Sequence, residues 1–202
     1  MQNIEKPKAV LLDLDGVLID TEALNGEAWK RAAEFFGTRI DKIQLQNLLG
    51  RPRNDCAKDI QSLLNEHVKM DDLLSVHLPI QRELIKNCKA IDSAERLVRW
   101  LNLNSVPNAL VTSSGSKSVQ FKISLHPWID LIPIKVFGDD PFLEIGKPAP
   151  EPFLIAAKRL KINPQDCWVI EDSESGIKSA LSANCKVWQF NKNAKNKFEN
   201  TG

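Results

Sequence analysis

The sequence predicts an α/β fold, an open and mainly parallel sheet interrupted after its first strand by an all-helical insertion. Three observations lead there. Short, near-continuous apolar runs recur along the chain without polar alternation, as in strands covered on both faces. Segments of helical periodicity separate those runs. One long stretch, from about residue 21 to 88, carries helical patterns and no convincing strand.

Taken in order, residues 9–14 form the first apolar run, which ends on two acids. The insertion follows. Ala28, Trp29, Ala32, Phe35 and Phe36 share a helical spacing that Gly37 can end, and Gly50 with Pro52 marks a loop. Ile60, Leu63 and Leu64, then Leu73, Leu74, Leu84 and Ile85, outline further helices. Beyond the insertion, Leu97, Val98 and Leu101 fall on one face of a helix over 94–103. Strands are expected at 109–112, 132–137, 167–171 and 186–190, with helices at 153–160 and 177–181. The Asn/Lys-rich tail from Asn191 to Asn200 is expected to fray. The boundaries implied are an α/β core of residues 1–19 and 89–202 and a helical insertion of residues 20–88.

At 202 residues the chain can bury one sizeable core with a smaller satellite. Lys and Arg number 27 against 26 Asp and Glu, a formal charge of +1, so neither nucleic acid nor a membrane surface is a favoured partner. Cys56, Cys88, Cys167 and Cys185 lack the paired spacing of zinc sites or redox motifs and are expected to be reduced, structural thiols. The apolar run before Asp13 is too short for a signal peptide or a membrane span, so a cytoplasmic protein is expected, with a monomer as the default. His67, His77 and His126 lack ligand spacing and are expected at the surface or the core edge. Trp100, Trp128, Trp168 and Trp188 are expected to pack on the sheet or its helices, and Trp29 belongs to the first inserted helix.

Four clusters carry chemistry. In Leu11-Leu12-Asp13-Leu14-Asp15-Gly16-Val17, residues two apart in a strand point the same way, so both carboxylates can face one site at the strand's carboxyl end. An ordinary Asp/Gly turn accounts for them equally well. In Leu110-Val111-Thr112-Ser113-Ser114-Gly115, hydroxyls and a flexible loop suit phosphate oxygens, although Ser/Gly loops are common. In Gly146-Lys147-Pro148-Ala149-Pro150-Glu151-Pro152, three prolines stiffen the segment that presents Lys147; a rigid linker into the next helix is the plainer reading. In Cys167-Trp168-Val169-Ile170-Glu171-Asp172-Ser173, Glu171 and Asp172 can add oxygen ligands for magnesium beside Asp13, while Asp172 or Ser173 can instead cap a helix.

In this order the four clusters resemble the motifs of the haloacid dehalogenase-like superfamily, over nearly the whole chain from Ala9 to about Phe190. Asp-Leu-Asp-Gly-Val-Leu-Ile-Asp-Thr-Glu and the helical insertion look most like its β-phosphoglucomutase and sugar-phosphate phosphatase branch. The resemblance implies a Rossmann-like core with a helical cap domain and a Mg2+-dependent phosphatase acting on a small phosphorylated sugar, polyol or sugar acid. It implies Asp13 as nucleophile, through an aspartyl-phosphate, and Asp15 as general acid and base. Thr112, the Ser113 backbone and Lys147 would hold the phosphoryl oxygens. The Asp13 carboxylate, the Asp15 backbone carbonyl and Asp172 would hold the metal, with Glu171 assisting directly or through water. Arg53, in the loop Gly50-Arg51-Pro52-Arg53, sits where related caps place a substrate contact; a solvated charge is the plainer reading.

The sequence departs from that branch at Asn25, where β-phosphoglucomutase-like proteins commonly carry a histidine, which disfavours a phosphomutase as the alternative. Glu151 stands for a common Asp, and Asn184 for a Gly. Asp15 separates the chain from haloacid dehalogenases proper and from phosphonoacetaldehyde hydrolase-like enzymes. The order of motifs argues against a receiver-like module, and the retention of Asp13, Asp15 and Asp172 argues against a silent binding scaffold.

Overall fold

The computed structural model describes residues 7–48, 51, 53–65, 67–190 and 198–200. β1 (Ala9–Leu12) and β2 (Ile19–Asp20) lead into α1 (Glu22–Phe35), α2 (Lys42–Gln46), α3 (Arg53–Leu63) and α4 (Met70–Ile85). Then come β3 (Lys89–Ala90), α5 (Ala94–Leu103), β4 (Asn108–Val111), α6 (Ser116–Leu125) and β5 (Ile134–Val136). The chain closes with α7 (Glu151–Leu160), β6 (Cys167–Glu171), α8 (Glu174–Ser182), β7 (Lys186–Phe190) and β8 (Phe198–Asn200). It divides into two compact units, Met1–Ile19 with Ala90–Gly202, and Asp20–Lys89. The cut falls within β2 and β3, which pair with each other.

The first unit is built on one sheet in the order β5-β4-β1-β6-β7-β8, parallel except for β8. All four residues of β1 are buried, so the central strand is covered on both faces, which is why its sequence shows no alternation. Ala9 and Leu11 join Phe153, Ala156 and Ala157 of α7 and Ala180 of α8 in one apolar cluster. β1 stops two residues short of the expected end: the Asp13 N–H still donates to Ile170 O at 3.1 Å, but Gly16 then turns the chain. The tail differs from expectation at its end, because Phe198–Asn200 pair antiparallel with β7 and extend the sheet. Residues 191–197 of that tail lie outside the described residues. Asn184 takes the left-handed conformation expected after α8, and Ser173 caps that helix by accepting from Gly176 N at 3.0 Å.

The second unit is helical. Trp29, Ala32 and Ala33 of α1 pack with Cys56, Ala57 and Ile60 of α3 and Leu73 of α4. Gly37 follows α1 as the sequence suggests, its N–H donating to Glu34 O at 3.0 Å. The expected loop at Gly50 and Pro52 lies outside the described residues. Three aromatic or imidazole expectations need correction. Phe35 ends α1 on its solvent side, and Trp100 stands more than half exposed on α5, off the face that buries Ala94, Val98 and Leu101. His77 is fully buried rather than at the core edge, four residues after the buried Leu73 on the same face of α4. The four cysteines are buried.

Candidate active site

β1 lies between β4 and β6, so the chain builds the sheet on one side of β1 and then crosses to build the other side. That reversal opens a crevice at the carboxyl ends of the strands. Asp13 follows β1, Thr112 follows β4, Glu171 ends β6 and Asp172 follows it. The four sequence clusters reach this place because strand order, not chain order, sets neighbours.

Lys147 enters from the segment between β5 and α7. Its Nζ donates to Asp13 Oδ1 at 2.7 Å, to Val111 O at 2.9 Å and to Glu171 Oε1 at 2.5 Å, which uses all three ammonium protons. The three side chains are nearly dry, with exposures of 4% for Lys147, 9% for Asp13 and 1% for Glu171. The segment is tied off behind the lysine: Glu151 Oε2 accepts from Glu144 N at 3.0 Å and Ile145 N at 2.6 Å. The Lys147–Pro148 peptide is cis.

Glu171 is keyed from its other side. Its Oε2 accepts from Asp172 N at 2.8 Å, Ser173 N at 3.0 Å and Ser173 Oγ at 3.1 Å. A Cβ on Gly176 would come within 1.6 Å of Glu171 Oε1, so only glycine lets α8 start this close to the carboxylate. Gly16, at φ +88°, does the same for Asp172, whose Oδ2 would lie 1.8 Å from an added Cβ. Asp13, Glu171 and Asp172 each offer a carboxylate oxygen within 4.8 Å of the others. The donors they offer are all hard carboxylate oxygens. That set fits Mg2+.

Burial pushes the Asp13 carboxyl up to about 7; Lys147 pulls it back, while Glu171 and Asp15 push the same way as burial. Burial alone would lower Lys147, but the facing Asp13 and Glu171 outweigh it and hold the ammonium above its ordinary value. The cluster therefore keeps its lysine charged.

Asp15 has a different partner. Lys122, in α6, places Nζ 2.7 Å from both Asp15 oxygens and 3.0 Å from Ser114 Oγ, and Ser114 Oγ donates to Asp15 Oδ2 at 2.8 Å. The Ser114 N–H donates to Thr112 Oγ1 at 3.0 Å, so the hydroxyl strand end is folded onto itself between the two acids' partners. Ser113 lies between them in sequence.

The chain matches the haloacid dehalogenase-like hydrolase family over residues 10–190. It belongs to that family. It is 34% identical to a bifunctional riboflavin kinase/FMN phosphatase of Arabidopsis thaliana over 88% of its own length, but spans only 47% of that protein. It is 33% identical to a "probable pseudouridine-5'-phosphatase" of Drosophila melanogaster, covering 91% of this chain and 81% of the other. Among solved structures, the family IA variant 3 hydrolase of the haloacid dehalogenase family from Entamoeba histolytica superposes with a TM-score of 0.78 at 30% identity, covering 93% of this chain and 85% of that one.

Within this haloacid dehalogenase-like chain, Asp13, Lys147, Glu171 and Asp172 come together, and Asp15 and Thr112 are linked through Ser114. Arg53 belongs to the helical unit and is the first residue of α3 rather than a loop residue; its Nη2 makes a long 3.4 Å contact to Gln81 Oε1. Arg51 instead pairs with Asp59. Lys122 escaped the sequence reading. Its signal was present, three residues after Val119 on the buried face of α6, where a lysine is out of place without a partner.

Proposed function

We propose that this chain is a Mg2+-dependent phosphatase that hydrolyses a small phosphorylated metabolite, a sugar, polyol or sugar-acid phosphate, through an aspartyl-phosphate on Asp13. The observation that supports it best is the dry Asp13–Lys147–Glu171 cluster at a strand end, with Asp172 within metal-sharing distance. An ammonium fixed beside a carboxylate lets a dianionic phosphate approach that carboxylate. The relatives named as phosphatases support the same reaction class.

In the first half-reaction an Asp13 oxygen bonds to phosphorus. The P–O ester bond breaks, its electron pair stays on the leaving oxygen, and that oxygen takes a proton from Asp15. In the second half, Asp15 takes a proton from water, the water oxygen bonds to phosphorus, and the Asp13–phosphate bond breaks with its pair returning to the carboxylate. Thr112, the Ser113 backbone and Lys147 hold the phosphoryl oxygens meanwhile. Mg2+, held by Asp13, the Asp15 carbonyl and Asp172 with Glu171 in support, would neutralise charge between nucleophile and substrate. The helical unit serves as a cap that excludes water and selects the leaving group, with Arg53 as a substrate contact. Asn25 accepts from Gln81 Nε2 at 2.8 Å, and no imidazole stands at that position to support a mutase. The balanced charge fits a cytoplasmic monomer that binds neither nucleic acid nor membrane; no described helix is long and apolar enough to cross a membrane.

The test is phosphate release from p-nitrophenyl phosphate and a panel of sugar and polyol phosphates, with and without Mg2+, for the native chain and Asp13→Asn. Release that needs Mg2+ and falls by about 10⁴-fold or more in the variant is expected. Release that survives Asp13→Asn would remove the nucleophile from this scheme.

A further inference from the structure

Lys122 is 3% exposed, and its ammonium is spent on Asp15 and Ser114. Burying an ammonium is costly, and an apolar side chain at this place on α6 would pack beside Val119 without that cost. The lysine therefore calls for a reason other than packing. Its geometry supplies one: contact with both carboxylate oxygens fixes the rotation of the Asp15 carboxylate, and the Ser114 hydroxyl fixes it from a second direction. The start of α6 is itself anchored, because Asp139 accepts from Ser116 N at 2.7 Å and Ser116 Oγ at 2.8 Å. Ser114 is in turn tied to Thr112.

We propose that Lys122 is a positioning residue for Asp15, holding its carboxylate, together with Ser114, where the proton is handed to the leaving oxygen and later taken from water. The proposal rests on the reading of Asp15 as acid and base. It assigns Lys122 a part in both half-reactions, separate from the Lys147 cluster that holds the nucleophile.

The two half-reactions can be separated by choice of leaving group. p-Nitrophenolate departs as a stable anion and needs no proton, so only the second half depends on Asp15; an alkyl phosphate needs Asp15 in both. The experiment measures first-turnover and steady-state rates for the native chain, Lys122→Met and Ser114→Ala, on p-nitrophenyl phosphate and on the best alkyl phosphate of the panel. Lys122→Met is expected to release p-nitrophenolate as a burst stoichiometric with enzyme, followed by a steady state lowered by roughly ten- to a hundredfold. On the alkyl phosphate its first turnover slows by a similar factor. Ser114→Ala, which leaves the lysine in place, shows the same pattern with a smaller loss and carries the test should Lys122→Met not fold. In an Asp15→Asn background the Lys122→Met change costs little more, since residues acting as a unit are not additive. Equal losses on both substrates without a burst, an undiminished loss in the Asp15→Asn background, or native rates throughout would each overturn the proposal. If the native chain shows no release that Asp13→Asn abolishes, the phosphatase reading itself fails and the assignment of Lys122 falls with it.

Discussion

Two buried sites, Lys147 in the α/β unit and His77 in the helical unit, hold polarity in opposite ways. In the α/β unit, Lys147 is as dry as the apolar core, yet each of its donors has an acceptor, and the carboxylates it faces are held by further backbone and hydroxyl donors. In the helical unit, His77 is equally dry and stacks on Trp29 with ring centroids 3.5 Å apart at 16°, but neither ring nitrogen has a hydrogen-bond partner among the described residues. Burial is the same in both places; the partners differ. A partnered cluster can keep charge in a dry site, whereas an orphaned imidazole is stable there only when neutral. Burial, reinforced by the nearby Arg53, accordingly lowers His77 to about 3.

The largest expected effect comes from breaking the partnered side. Lys147→Met would leave Asp13 and Glu171 facing each other in a dry site, and removal of one partner from a buried charge cluster costs about 3–5 kcal/mol. Urea denaturation followed by far-UV circular dichroism should show that loss as a lower midpoint, together with loss of phosphate release. A midpoint equal to the native one would mean that the ammonium does not hold the cluster together.

The second effect sharpens the other side. Unfolding returns His77 to its ordinary value of 6.5, while the folded state holds it at about 3, so between those values the unfolded chain binds the extra proton. Stability is thus free of any His77 proton-linked cost well above pH 6.5, and as pH falls toward 3 the fold loses roughly 4 kcal/mol relative to the unfolded chain through this group. Carboxylates also titrate there. The histidine part is therefore read as the difference between the native chain and His77→Leu across denaturation series from pH 7 to 4. Parallel curves would sink the claim that His77 is held neutral.

The same contrast explains what the sequence disclosed. The middle of the sheet was legible because β1 and β4, covered on both faces, show as unbroken apolar runs, and the acids after β1 and at the end of β6 were visible because charge at the end of an apolar run is unusual. Side chains that are buried by a helix rather than a strand were harder to read. α6 buries only Val119 and Lys122, too short a pattern to announce a helix, so nothing in the sequence singled out the lysine beside Asp15. His77 lies four residues after Leu73 and four before Gln81, a spacing that places it on the inner face of α4, but a lone histidine without ligand spacing gave no reason to use that periodicity. The edge strand at Phe198–Asn200 was hidden for another reason: three residues in an Asn/Lys-rich tail show no apolar run, and the strand is defined by its pairing with β7.

The smallest expected effect has the opposite sign. His77→Leu at neutral pH removes two buried polar atoms that gain nothing from the fold, keeps a similar volume, and places a better helix former inside α4. It gives up the stacking on Trp29, which is worth about 1 kcal/mol at most as an aromatic pair. Relief of the orphaned nitrogens outweighs that, because each unsatisfied buried group costs about 1–3 kcal/mol. The net expectation is a gain of about 1 kcal/mol, seen as a higher urea midpoint with an unchanged slope. A loss of similar size would mean that the imidazole nitrogens are satisfied in the folded chain, and the contrast between His77 and Lys147 would then disappear.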